Sequence, residues 1–217
     1  MKSGNWYYDE QSQMFIEACE YLGVPYGFYY LDEALNDEEI LEEVALVKDF
    51  LKKNKTSMNV LPLAIDIEYQ SGKGRADGIW EERVSLLHQL IEEFSNENIK
   101  SILYVNGNRA NQYFQDLEAN LWVARYLEDG MIPESFYPKA MKYEEMENIL
   151  KQLLNDEGKL KANLNSNTEY KVAFSDKFLN KVIGWQFSES GANNDKIEEK
   201  IDLSLVKNDF FKQYMDE

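Results

Sequence analysis

Apolar and polar positions along the chain switch repeatedly between helical spacing and short continuous runs. Phe15, Ala18, Cys19 and Leu22 recur at helical spacing behind the acidic start Asp9-Glu10, and Gly23 stands where a helix-ending glycine is expected. Val24 to Leu31 (VPYGFYYL) is an apolar, aromatic run of strand length. Asn36, with Glu39 three places on, opens a second helix in capping-box fashion; Ile40, Val44, Val47 and Leu51 line one face, and the pattern ends near Asn54. Val60 to Glu68 (VLPLAIDIE) stays apolar until its carboxyl end, as a parallel strand covered on both faces does. A third helix carries the stripe Trp80, Val84, Leu87, Ile91 and Phe94. Ile99 to Asn106 reads as the next strand, a short helical stretch follows around Arg109 to Gln115, and Asn120 to Tyr126 returns to strand.

Strands and helices that alternate with short links predict parallel βα units, hence an α/β sheet or barrel. The rhythm changes after Tyr126. Residues from about 133 to 180 form a polar stretch with one amphipathic helix on Met146, Ile149, Leu150 and Leu153, too poor in apolar residues for a core of its own. It is expected to be an insertion within a single domain spanning residues 1–217. The sheet resumes with Lys181 to Ser188 and, after a Gly/Asn loop, Ile201-Asp202-Leu203.

Charge and composition narrow the function. The 217 residues carry 23 Lys+Arg against 40 Asp+Glu, a formal charge of −17, so the surface repels nucleic-acid phosphate and acidic lipid. No nucleic-acid or membrane partner is expected. Hydrophobic residues at 44% and aromatics at 13% suffice for a sizeable core. One Cys and one His leave no material for a disulfide, a Cys-based zinc site or a multi-histidine centre, and neither metal nor cofactor is expected. His88 reads as a surface or boundary residue, Cys19 as a core thiol, and Gly72-Lys73-Gly74-Arg75 is too short for a phosphate loop. No apolar run reaches spanning length and no secretion signal opens the sequence, so the expected location is the cytoplasm as written, with action at the bacterial wall following release or an upstream segment.

Candidate chemistry gathers at the carboxyl ends of the apolar strands, the rim where parallel α/β folds build their active sites. Asp66 and Glu68 end one strand, Tyr104 and Asn106 the next, Arg125 and Tyr126 the one after, and Gln186 a later one. Side chains two apart on a strand share a face, so Asp66 and Glu68 are expected to project into one pocket while Ile67 faces away. Two carboxylates that close separate each other's pKa, which leaves one as proton donor and the other ionised, as glycoside hydrolysis requires. A short Asp-x-Glu can equally be a solvated strand end or a helix cap, or the acidic pair of an enzyme using Mg²⁺. Tyr29, Tyr30, Tyr104, Trp122, Tyr126, Trp185 and Phe187 on or beside the strands suggest a groove on which sugar faces stack.

The ordered blocks GFYYL (27–31), LPLAIDIE (61–68), ILYVN (102–106), LWVARY (121–126), GWQFSESG (184–191) and IDLSLV (201–206) resemble the lysozymes of glycoside hydrolase family 25, the cellosyl or Chalaropsis-type muramidases. The resemblance implies an irregular TIM-like (β/α) barrel that cleaves the β-1,4 bond between N-acetylmuramic acid and N-acetylglucosamine in peptidoglycan. It implies Glu68 as general acid/base, Asp66 as the residue that orients the substrate's acetamido group, Asp202 as a further acidic residue, and Tyr29, Tyr104, Trp122, Tyr126, Trp185 and Gln186 around the glycan. Compared with the family layout, the opening strand with its G-x-D-x-S/Y Asp and the strand after it are missing, and Tyr-His-Phe becomes Tyr29-Tyr30-Leu31. The barrel is therefore expected to be incomplete at its N-terminus, with unpaired edges that favour self-association. An alternative is a family descendant that binds carbohydrate, or acts as a scaffold, without turnover.

Overall fold

A computed structural model describes residues 8–67, 80–125, 176–191 and 201–206, together with 210, 212 and 214; side chains are left aside at 108, 176, 187–191, 201–203 and 205. The expected insertion, apart from its last residues, lies outside the described residues. The protein is an α/β fold. It divides into two compact units, residues 1–104 with 116–119 and 213–217, and residues 105–115 with 120–212.

The first unit begins with α1 (Ser12–Leu22), which stops at Gly23 in the left-handed conformation (φ 65°), where a Cβ is unfavourable. Its buried face differs from the expected one. Ile16 is buried, whereas Phe15 and Leu22 are 59% and 69% exposed. Glu20 explains the rotation: its carboxylate accepts from the Ser57 hydroxyl and the Met58 N–H, both at 2.9 Å, which turns the Ile16/Glu20 side of the helix inward. Cys19 is half-buried.

β1 (Tyr29–Leu31) is shorter than the apolar run that contains it. Earlier in that run Tyr26 makes only an isolated bridge to Asn59. α2 (Asp37–Lys53) opens as the sequence predicts: the Asn36 side chain accepts from the Glu39 N–H at 3.0 Å, while the Glu39 carboxylate accepts from the Leu35 N–H. Ile40, Val44 and Val47 are buried, and so is Glu43 on the same stripe. β2 (Leu63–Asp66) starts directly after Pro62, which cannot donate to a sheet ladder.

α3 (Trp80–Asn96) buries Trp80, Arg83, Leu87, Leu90 and Phe94, so Arg83 and Leu90 take the places expected of Val84 and Ile91, which are half-buried. Each fully buried Leu or Phe of this stripe contributes roughly 1.5–3 kcal/mol. His88 is exposed, as expected. β3 (Ser101–Asn106) follows, and β1, β2 and β3 are successive parallel neighbours.

The second unit takes the end of β3 and continues with α4 (Gly107–Tyr113), β4 (Leu121–Ala124), α5 (Asp176–Lys181), β5 (Val182–Gly191) and β6 (Ile201–Val206). β4 and β5 are parallel, whereas β6 returns antiparallel to β5. Leu121, Val123, Phe178 and Val182 form the buried face of this unit. No helix among the described residues is long and apolar enough to cross a membrane.

Candidate active site at the strand ends

Strand register decides which side chains share a face. In the first unit Tyr29 pairs with Ala64, Leu31 with Asp66, and Asp66 with Tyr104. Asp66 and Tyr104, both half-buried, therefore stand side by side on one face, with Tyr29 on that face one step nearer the amino end and 72% exposed. Tyr30, Ile65 and Leu103 occupy the opposite face; Tyr30 meets Phe94 of α3 edge-on at 5.9 Å, which identifies that face as the helix-covered one. Ile67, just beyond the strand, is 3% exposed.

The backbone at the end of β2 is fixed from both neighbours. The Asp32 N–H donates to the Asp66 carbonyl at 3.0 Å, and the Ile67 N–H donates to the Tyr104 carbonyl at 2.9 Å. Glu68, the expected proton donor, lies outside the described residues, as does Tyr126.

In the second unit Trp122 pairs with Gly184, and Ala124 with Gln186. A Cβ on Gly184 would come within 2.9 Å of the Trp122 ring, so the glycine makes the space in which the indole lies across β5. From there the Trp122 N–H donates to the Ser204 hydroxyl on β6 at 3.2 Å. Gln186, cross-strand from Ser204, is buried on the same face. Trp185 points the other way: it is 2% exposed and its indole N–H donates to the Arg125 carbonyl at 2.7 Å. Asp202 falls within β6, and its side chain lies outside the described residues. Asn106 has a local structural partner, its side chain accepting from the Arg109 N–H at the start of α4.

Tyr29 also lines a largely apolar cavity of about 460 Å³ between α1, β1 and α2, with Phe15, Ile16, Tyr26, Phe28 and Phe50; Asp66 is not part of its wall. Among the described residues no group of three His, Cys, Asp or Glu side chains is arranged to hold a metal ion.

The sequence reading missed a buried polar cluster beneath the end of β1. The Arg83 guanidinium donates to the Asp32 carboxylate and, at 3.1 Å, to the Asp32 carbonyl, and both side chains are almost fully buried. Asp32 also accepts from the Ala34 N–H at 3.0 Å. Burial pushes the Glu43 carboxyl up to about 9, and the Asp32 charge and a hydrogen bond to Asp32 add to the rise, with Arg83 opposing it. Both effects favour the neutral form of Glu43 at pH 7, beside the Asp32 carboxylate. Burial, chiefly, also raises the Tyr30 phenol well above its ordinary value. The signal was present: Glu43 and Arg83 each occupy a position on the apolar stripe of their helix, where a charged residue is rarely found unless paired.

In parallel α/β sheets the carboxyl ends of the strands form the rim on which ligand sites are built, and Asp66 stands on that rim. No protein-family model matches the chain, and no curated protein sequence matches it significantly. Solved structures do. The catalytic domain of endolysin ply40 from bacteriophage P40 of Listeria monocytogenes matches with a TM-score of 0.59 and 17% identity, over 96% of this chain and 80% of that one. The glycosyl hydrolase 25 GHIP, a virulence factor of Streptococcus pneumoniae that participates in host cell invasion, matches with a TM-score of 0.57 and 11% identity, over 99% and 76%. The modular autolysin LytC of Streptococcus pneumoniae, solved with a synthetic peptidoglycan ligand, matches with a TM-score of 0.55 and 18% identity; 93% of this chain is covered, and only 38% of LytC. The chain has the fold of the glycoside hydrolase family 25 lysozymes.

Proposed function

We propose that this protein is a peptidoglycan hydrolase, an N-acetylmuramidase that cleaves the β-1,4 bond between N-acetylmuramic acid and N-acetylglucosamine. The observation that carries the reading is Asp66, a half-buried carboxylate at the carboxyl end of a parallel strand and in register with Tyr104, in a fold shared with an endolysin and an autolysin. Glu68, two residues along the chain, is the general acid/base: it protonates the leaving glycosidic oxygen and then takes a proton from the attacking water. Asp66 orients the acetamido group of the muramic residue and balances the positive charge that develops beside it. Asp202 adds a further acidic group. Tyr29 and Tyr104 in the first unit, and Trp122 in the second, are proposed to contact the glycan together with Tyr126; Gln186 lies buried on the Trp122 face, and Trp185, buried on the opposite face, supports that strand from behind.

Digestion of purified peptidoglycan, borohydride reduction and mass spectrometry test this directly. The expected products end in reduced muramic acid. Products ending in reduced glucosamine would assign a different bond, and binding to peptidoglycan without new reducing ends would favour a carbohydrate-binding descendant.

A further inference from the structure

The trio Asp32, Glu43 and Arg83 is costly to bury, and its members come from three elements, β1's end, α2 and α3. Replacing buried ion pairs by apolar side chains is often neutral or stabilising, so stability alone is a weak reason for such a cluster. Its connections supply another. Arg83 holds both the carboxylate and the backbone carbonyl of Asp32, the neutral Glu43 holds the same carboxylate, and the Asp32 N–H holds the carbonyl of Asp66. Two hydrogen bonds thus lead from the α3 guanidinium to the backbone of the residue that carries the proposed function. On the other side of that residue the Ile67 N–H is fixed to Tyr104, so a shift of Asp32 tilts the Asp66 peptide between two anchors.

We propose that Arg83, with Asp32 and Glu43, is a positioning device that fixes the backbone of Asp66 and so the direction of its carboxylate. None of the three needs to touch the substrate. The inference rests on the reading of Asp66 as a hydrolase residue. It predicts a defect in turnover rather than in binding, because a carboxylate displaced by about 1 Å still meets the glycan yet can cost about 100-fold in rate.

The test compares wild type, Arg83→Met, Arg83→Lys and the double variant Asp32→Asn/Arg83→Met, which removes the ion pair without stranding a buried charge. Val47→Ala, a core truncation on α2 outside the cluster, controls for lost stability. Reducing-end release from soluble peptidoglycan glycan strands gives kcat and KM at a temperature where circular dichroism shows each variant folded, and amide hydrogen exchange reports the Asp32 and Ile67 N–H groups. The expected result is a fall in kcat of about 10- to 100-fold in the double variant with KM nearly unchanged. Arg83→Lys recovers part of the loss, the Asp32 and Ile67 amides lose protection, and Val47→Ala keeps wild-type kcat. In an Asp66→Asn background the double variant adds no further loss. An active wild type with unchanged kcat in the folded double variant overturns the positioning role alone. A wild type that releases no reducing ends overturns the hydrolase reading and this inference with it.

Discussion

Glu43→Gln is expected to make the protein more stable at neutral pH. In the folded chain burial holds the Glu43 carboxyl at about 9 against an ordinary 4.5, so the folded state keeps a proton that the unfolded state releases. A carboxyl shifted upward contributes fully below the unfolded value, and stability then falls as pH rises from 4.5 towards 9. Each pH unit in that window corresponds to about 1.4 kcal/mol, so over the roughly 2.5 units up to pH 7 the loss attributable to this one group is about 3 kcal/mol. Glutamine matches the shape of the protonated acid, can still donate to Asp32, and does not titrate. Wild type and variant should therefore unfold at similar urea concentrations near pH 4.5 and diverge steadily above it, the variant becoming the more stable by about 3 kcal/mol at pH 7. Urea titrations followed by circular dichroism at several pH values give both curves, and their difference isolates residue 43 from every other titrating group. Parallel curves, or a variant that is less stable at pH 7, would refute a neutral Glu43.

Other substitutions probe separate links. Gly184→Ala should cost about 1–3 kcal/mol, since the new methyl meets the Trp122 ring at 2.9 Å and must push it from Ser204; a shift in tryptophan fluorescence together with a lower urea midpoint checks this. Asn36→Ala removes the side chain that accepts from the Glu39 N–H and should cost about 1 kcal/mol by urea titration, with no effect on peptidoglycan turnover. Asp66→Asn should lower turnover while retaining binding of a muropeptide, measured by calorimetry, because the amide still offers a hydrogen bond but cannot balance positive charge.

The elements that the sequence made legible are those whose local chemistry and burial agree. Asn36 with Glu39, and Gly23, each predict a boundary that the structure has, and the apolar run from Val60 to Glu68 contains the shorter strand Leu63–Asp66. The errors arise where a polar side chain has a tertiary partner that no local pattern reveals. Glu20 reaches the Ser57 hydroxyl and the Met58 N–H and rotates α1, so Phe15 and Leu22 end up exposed. Arg83 and Glu43 enter the core because Asp32 awaits them there, and a stripe drawn through apolar residues alone passes over both. Of the candidate site, the rim position of Asp66 and its adjacency to Tyr104 follow from strand pattern and register. Trp122 and Trp185 lie one position apart in register, hence on opposite faces, and differ in kind: one crosses Gly184 to Ser204, while the other is buried with its N–H on Arg125.

Reducing-end release from purified peptidoglycan by wild type and Glu68→Gln, measured side by side, tests the central claim most directly. The substitution is nearly isosteric and removes only the titrating group, and general acid catalysis supplies about 10²- to 10⁴-fold. The expected result is release of ends in reduced muramic acid by wild type and loss of at least about 100-fold in the folded variant. Wild-type turnover by Glu68→Gln would contradict the assignment of the proton donor and, with it, the proposed mechanism.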